Sequence, residues 1–206
     1  MKQLIQKKLQ HHMSEYMQEL AAATKKISRK HVMEVIQVVM DAYRNERKIF
    51  ILGNGGAAAI ASHFACDLGK NTLARVYDKK ERRFQVISLT DNVALLTAFS
   101  NDLSFDDIFI QQLRNLISPG DIVIGISGSG NSKNVIKAMK YAKQCDAKTI
   151  GLLGFKTGGK LADIVDIKVV VQSVNYGVIE DIFLSIEHII VWSISHIKEM
   201  HDNDHS

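Results

Sequence analysis

A single proline, Pro119, and a single tryptophan stand in the 206 residues, and no Pro-, Gly- or Ser-rich stretch separates one part of the chain from another. The length fits one α/β domain with a sizeable core. Two cysteines, Cys66 and Cys145, are too few for a disulfide framework and suit a reducing compartment. No apolar run approaches the roughly 20 residues of a membrane span, and the segment Met1–Lys7 lacks an apolar core of the signal-peptide kind. The expectation is a cytoplasmic protein with no membrane partner. The formal charge is only +4, and its basic pairs (Lys7-Lys8, Lys25-Lys26, Lys79-Lys80, Arg82-Arg83) are dispersed without interleaved aromatics. No nucleic acid is expected as a partner. The Walker order G-x-x-x-x-G-K-[ST] is also missing, which argues against a nucleoside triphosphate site.

What is present is one strand, glycine loop and helix unit, used twice. The apolar run Asp121-Ile122-Val123-Ile124 leads into Gly125-Ile126-Ser127-Gly128-Ser129-Gly130-Asn131-Ser132 and then an amphipathic stretch, Val135 to Ala142. Glycines let backbone approach an anion, serine hydroxyls donate to it, and the unpaired N–H groups of a following helix add roughly half a positive charge. Lys48 to Leu52 likewise runs into Gly53-Asn54-Gly55-Gly56 and a small-residue helix, Ala57 to Leu68. Two such loops at the carboxyl ends of parallel strands form a ligand crevice in an open α/β sheet. The first loop lacks the third glycine of the dinucleotide fingerprint, so the anion is read as the phosphate of a sugar.

Strands are expected at Lys48–Leu52, Phe84–Leu89, Ile122–Ile126, Thr149–Leu153 and Ile167–Val171, all apolar enough for a covered parallel sheet. Two helices precede them, about Gln3–Lys26 and Arg29–Asn45, with Ser28 as N-cap of the second. Their apolar positions, among them Val32, Val35, Ile36, Val39 and Tyr43, exceed what one sheet face needs, so part of them is expected to meet another subunit. A long helix, about Val178 to Met200, closes the chain.

His63 and Asp67 share one helix face at i, i+4, the spacing of a metal pair. Glu180 and His188 form a second candidate pair. Eight residues is a rise of about 12 Å, so they can meet one ion only if the helix start frays or a neighbouring subunit contributes. His11, His12, His31 and His196 are read as ordinary helix histidines, and Asp181 and Glu187 as solvated helix charges.

Together these motifs resemble the sugar isomerase (SIS) domain family, and within it the phosphoheptose isomerases. The resemblance is carried by Leu52-Gly53-Asn54-Gly55-Gly56, His63-Phe64-Ala65-Cys66-Asp67-Leu68, Ser100-Asn101-Asp102 with Phe105 and Phe109, the serine loop Gly125–Ser132, and Glu187-His188-Ile189. It implies a three-layer α/β/α sandwich with a five-stranded parallel sheet. Residues 1–46 would be a helical pair used in oligomerisation, 47–200 the SIS domain and 201–206 a disordered tail. It also implies a homotetramer with sites shared between subunits. Asn54, Gly55, Gly56, Asn101, Asp102, Ser127, Gly128, Ser129 and Ser132 would hold the phosphosugar, with Asp67 and Glu180 reaching it. His63, Asp67, Glu180 and His188 would bind one divalent metal per subunit, zinc by family habit, with Asp67 as base and His188 as acid.

The chain departs from the family pattern where Ala57 replaces serine, Gly128 threonine, Asp67 glutamate and Glu180 glutamine. A carboxylate survives at both acidic positions, which favours a working site with altered substrate preference. Two function classes follow. One is an aldose–ketose isomerase of a sugar phosphate, such as sedoheptulose 7-phosphate, serving heptose precursors of cell-envelope polysaccharide. The other is a non-catalytic SIS protein, a sugar-phosphate sensor or a replication-initiator-binding adaptor, which would need no acid–base set.

Overall fold

In the computed structural model, residues 1–74 and 76–203 are described, the last three of them by backbone alone. Five strands, β1 (Lys48–Gly53), β2 (Gln85–Ser88), β3 (Ile122–Ser127), β4 (Lys148–Leu153) and β5 (Ile167–Val170), form one sheet in the order β2-β1-β3-β4-β5. Every pairing is parallel. The helices are α1 (Lys2–Thr24), α2 (Arg29–Arg44), α3 (Gly56–Lys70), α4 (Val93–Asp102), α5 (Ile108–Leu116), α6 (Lys133–Gln144) and α7 (Tyr176–Asn203).

Side chains alternate across each strand, and the two faces bury different cores. Ile49 and Ile51 of β1, Ile122, Ile124 and Ile126 of β3, and Ile150 and Leu152 of β4 pack with α2, α3 and α7. Phe50, Leu52 and Val123 face the other way, against α5 and α6. This is the expected three-layer sandwich. The Ser28 hydroxyl accepts from the His31 N–H at 3.3 Å and starts α2, as the sequence predicts.

The apolar positions named on α2 are used within the chain. Val32, Val35, Ile36 and Val39 are buried within the chain itself, and Tyr43 packs on Phe84 with ring centroids 4.7 Å apart. They serve the fold because β5 and α7 present an apolar face to α2. On α1, Leu4, Ile5, Leu9, Met13 and Met17 all stand more than half exposed, and on α2 Met33 does as well. α1 is held to the body by polar ties, with the Tyr16 hydroxyl donating to Asp181 Oδ2 at 2.6 Å and the Ser173 hydroxyl donating to Glu19 Oε1 at 2.6 Å. α7 runs three residues into the segment read as a tail, and 204–206 lie outside the described residues.

The connection from β1 to β2 goes to one side and the chain then crosses to β3 on the other, so the strand order reverses between β1 and β3. An open parallel sheet binds ligands at that switch point. Both glycine loops leave from there.

Candidate active site

The loop after β1 and the loop after β3 are locked to each other by a reciprocal amide pair. Asn54 Nδ2 donates to Asn134 Oδ1 and Asn134 Nδ2 donates to Asn54 Oδ1, each at 2.9 Å. Gly55 has a φ of +59°, a conformation that favours glycine, and opens α3 without any side-chain cap. Ser132 opens α6, again with no side-chain hydrogen bond to the helix. Two helix starts with uncapped N–H groups thus converge on one place.

Between them lies a cavity of about 260 Å³ lined by Asn54, Gly55, Ala57, Ile126, Ser127, Gly128, Ser129, Ser132, Tyr176 and Glu180. The Ser127 hydroxyl accepts from the Gly130 N–H at 3.1 Å and lies 3.3 Å from the Ser132 hydroxyl. The Ser129 hydroxyl accepts from the Asn131 N–H at 3.2 Å. Hydroxyls and amides arranged this way suit a phosphate without any lysine.

The predicted pocket residues do not all arrive. Asn101 and Asp102 sit at the exposed end of α4 and bond to each other, Asn101 Nδ2 to Asp102 Oδ1 at 2.9 Å. Within one chain neither lines the cavity. Gly56 does not line it either, but its α-carbon faces Glu180, and a Cβ there would overlap the Glu180 carboxylate.

A second group of side chains lies where α3 and α7 pack. His63 Nε2 is 3.1 Å from His188 Nε2 and 3.3 Å from Asp67 Oδ2. Glu187 Oε2 is 3.4 Å from His188 Nε2 and 3.9 Å from His63 Nε2. One ligand atom from each of the four residues falls within 4.8 Å of the others. The second oxygen of Asp67 is not idle, since Oδ1 accepts from Asn71 Nδ2 at 2.7 Å. That bond turns Oδ2 toward the histidines.

Glu187 corrects the sequence reading. It is wholly buried, and neither of its carboxylate oxygens has a hydrogen-bond partner among the described residues. Burial, followed by the negative charge of Asp67, pushes its carboxyl up to about 8. An orphaned buried carboxylate beside two imidazole nitrogens and a second carboxylate is a donor set that fits Zn²⁺ or a similar divalent ion. Glu180, expected as the fourth ligand, lines the serine-loop cavity of its own chain instead. It lies two turns ahead of His188 on α7, and no fraying brings it back, because Tyr176 through Asp181 are already helical.

The fold thus brings together a hydroxyl-lined cavity at the switch point of a parallel sheet and a histidine–carboxylate group where α3 and α7 pack, the features of an α/β protein with a polar site. The chain belongs to the SIS domain family, whose pattern matches residues 13–154. It is 39% identical over 160 residues to the phosphoheptose isomerase of a Nitratiruptor species, covering 78% of this chain and 82% of that protein. The phosphoheptose isomerase of Aliarcobacter butzleri is 41% identical over 154 residues, 75% and 78% of the two chains. The structure of phosphoheptose isomerase from Neisseria gonorrhoeae superposes with a TM-score of 0.82 at 31% identity, over 93% of this chain and 99% of that one.

Proposed function

We propose that the protein is an aldose–ketose isomerase that converts sedoheptulose 7-phosphate to D-glycero-D-manno-heptose 7-phosphate. The observations that carry this reading are the His63, Asp67, Glu187 and His188 group between α3 and α7 and the hydroxyl-lined cavity at the starts of α3 and α6, in a chain akin to phosphoheptose isomerases. Moving a carbonyl between C1 and C2 requires a base to take a proton from carbon and an acid to deliver one to oxygen. Asp67 is assigned the base, oriented by Asn71, and His188 the acid. The serine loop and the starts of α3 and α6 hold the phosphate at the far end of the sugar.

Within one chain His63, Asp67, Glu187 and His188 would hold a divalent ion, zinc suiting the two imidazoles, and Asp67 and His188 would then move protons through the carboxylate oxygen and ring nitrogen that the ion leaves free. When bound, such an ion polarises a carbonyl and offsets negative charge developing on oxygen. Glu180 belongs to the sugar side of its own chain and would join a metal only from a neighbouring subunit. The exposed apolar edge of α1 supports a homo-oligomer, taken as a homotetramer in line with the family. A cytoplasmic setting is part of the same reading, supported by two cysteines that are both free. No helix of the described residues is long and apolar enough to cross a membrane.

The test combines metal analysis of purified protein with a screen of heptose, hexose and pentose phosphates. Turnover confined to sedoheptulose 7-phosphate, with one divalent ion per subunit, is the expected result. Tight sugar-phosphate binding with neither turnover nor metal would instead identify a sensor.

A further inference from the structure

Gly128 sits in the serine loop with its faces already taken. Its carbonyl oxygen lies 2.5 Å from where a Cβ on Gly154 would be, so the backbones of the two loops touch. On the other side, a Cβ on Gly128 itself would lie 2.7 Å from Cε1 and 3.0 Å from Cδ1 of Tyr176. Tyr176, the first residue of α7, therefore occupies the room that any side chain at position 128 would need. Its ring is braced by Phe155, edge-on at a centroid distance of 5.4 Å. Phe155 packs on the core and holds a left-handed φ of +56°, a conformation unusual for a bulky residue.

The backbone carrying Tyr176 is also fixed. The Asn175 N–H donates to the Ser173 hydroxyl at 3.0 Å, and the Gly177 N–H donates to Asn175 Oδ1 at 3.1 Å. One helical turn on, Glu180 lines the same cavity. The Tyr176 hydroxyl has no hydrogen-bond partner among the described residues, although it belongs to a residue lining an anion pocket.

We infer that Tyr176 is a specificity-determining residue: its ring forms the pocket wall that a side chain at position 128 would otherwise build, and its phenol is a hydrogen-bond donor to the bound phosphosugar. The inference rests on the anion pocket of the proposed function but adds a residue to it. It also explains why glycine stands at 128, since the wall is supplied from α7.

The test is a double-mutant cycle between Gly128 and Tyr176, read by calorimetric titration with sedoheptulose 7-phosphate and, separately, with inorganic phosphate. A hydrogen bond to a charged group is worth about tenfold or more in affinity, so Tyr176→Phe, which keeps the ring, should weaken sedoheptulose 7-phosphate binding by about that factor. Gly128→Thr alone should weaken binding of both probes by driving the ring out of the wall. Introduced into Tyr176→Ala, the same change should cost at least about tenfold less. Tyr176 is 53% exposed, so thermal unfolding of its variants should stay close to wild type. Equal costs of Gly128→Thr in both backgrounds, or wild-type binding by Tyr176→Phe, would overturn the inference. If wild-type protein bound inorganic phosphate but did not isomerise the sugar, the isomerase reading would fall. The cycle run with inorganic phosphate would still decide the role of the Tyr176 ring.

Discussion

Replacing Ser127 and Ser129 of the serine loop separates binding from folding in a way the geometry makes specific. A hydrogen bond to a charged group contributes about 1.5–3 kcal/mol. Losing two donors to one phosphate should weaken a phosphorylated sugar by about two to four powers of ten if the effects add. The unphosphorylated sugar should bind nearly as before. The two hydroxyls differ in what else they do. Ser127 is only 4% exposed and its hydroxyl accepts the buried Gly130 N–H, whereas Ser129 meets the exposed Asn131 N–H. An orphaned buried donor costs about 1–3 kcal/mol, which in a chain of this size lowers Tm by roughly 2–12 °C. Ser127→Ala should therefore melt earlier and Ser129→Ala should not. Calorimetric titration with the phosphorylated and free forms of one sugar, beside thermal melts of both single variants, gives all four numbers. An equal loss for both ligands would refute the reasoning, because the loop would then shape the sugar pocket and not recognise the phosphate.

Other perturbations follow from the same contacts. Lys198 is buried, donates to the Thr72 carbonyl at 2.6 Å and pairs with Glu81 at 3.2 Å. Lys198→Met should cost about 1–3 kcal/mol because it leaves the buried Thr72 carbonyl without its donor, seen as an earlier denaturation midpoint with little change in substrate affinity. Gly130 has a φ of +62°, and a Cβ there would overlap the Gly158 carbonyl. Gly130→Ala should both destabilise the protein and empty the phosphate site, and wild-type binding by that variant would contradict the backbone-to-backbone packing. The hydrogen bond to Asp181 is the main reason the Tyr16 phenol is pushed up to about 12. Because the folded value exceeds the unfolded value of about 10, the tie of α1 to α7 contributes below pH 10 and is lost as pH rises toward 12. Ultraviolet titration should show a late tyrosine component that returns toward 10 in Asp181→Asn.

Much of the fold was legible because strand period and loop composition are local. Each of the five strands falls within a residue of its predicted bounds, and Ser28 caps as expected. His63 and Asp67 met because i, i+4 spacing on one helix needs no tertiary information. Glu187 was misread because a charge next to a histidine looks solvated when only its type is considered. Its position held the signal: Phe183, Ile186, Ile190 and Ile194 form a buried stripe, and Glu187 lies four residues after the first of them. Lys198 extends that stripe by one turn and carries the same message. Asn101, Asp102 and Glu180 were harder, since where they point depends on how α4 and α7 meet the sheet and on chains beyond this one. The burial of Val32, Val35, Ile36 and Val39 was similarly illegible, because the apolar surface they cover is made by β5 and α7, more than a hundred residues away.

The central claim is that Asp67 and His188 exchange protons with the sugar. It is tested most directly by following sedoheptulose 7-phosphate conversion in Asp67→Asn and His188→Gln while measuring metal content and melting temperature. A positioned acid or base is worth about 10²–10⁴-fold. The account predicts that each variant loses that much turnover number while staying folded and still binding the sugar phosphate. Turnover within a few-fold of wild type in both variants would contradict it.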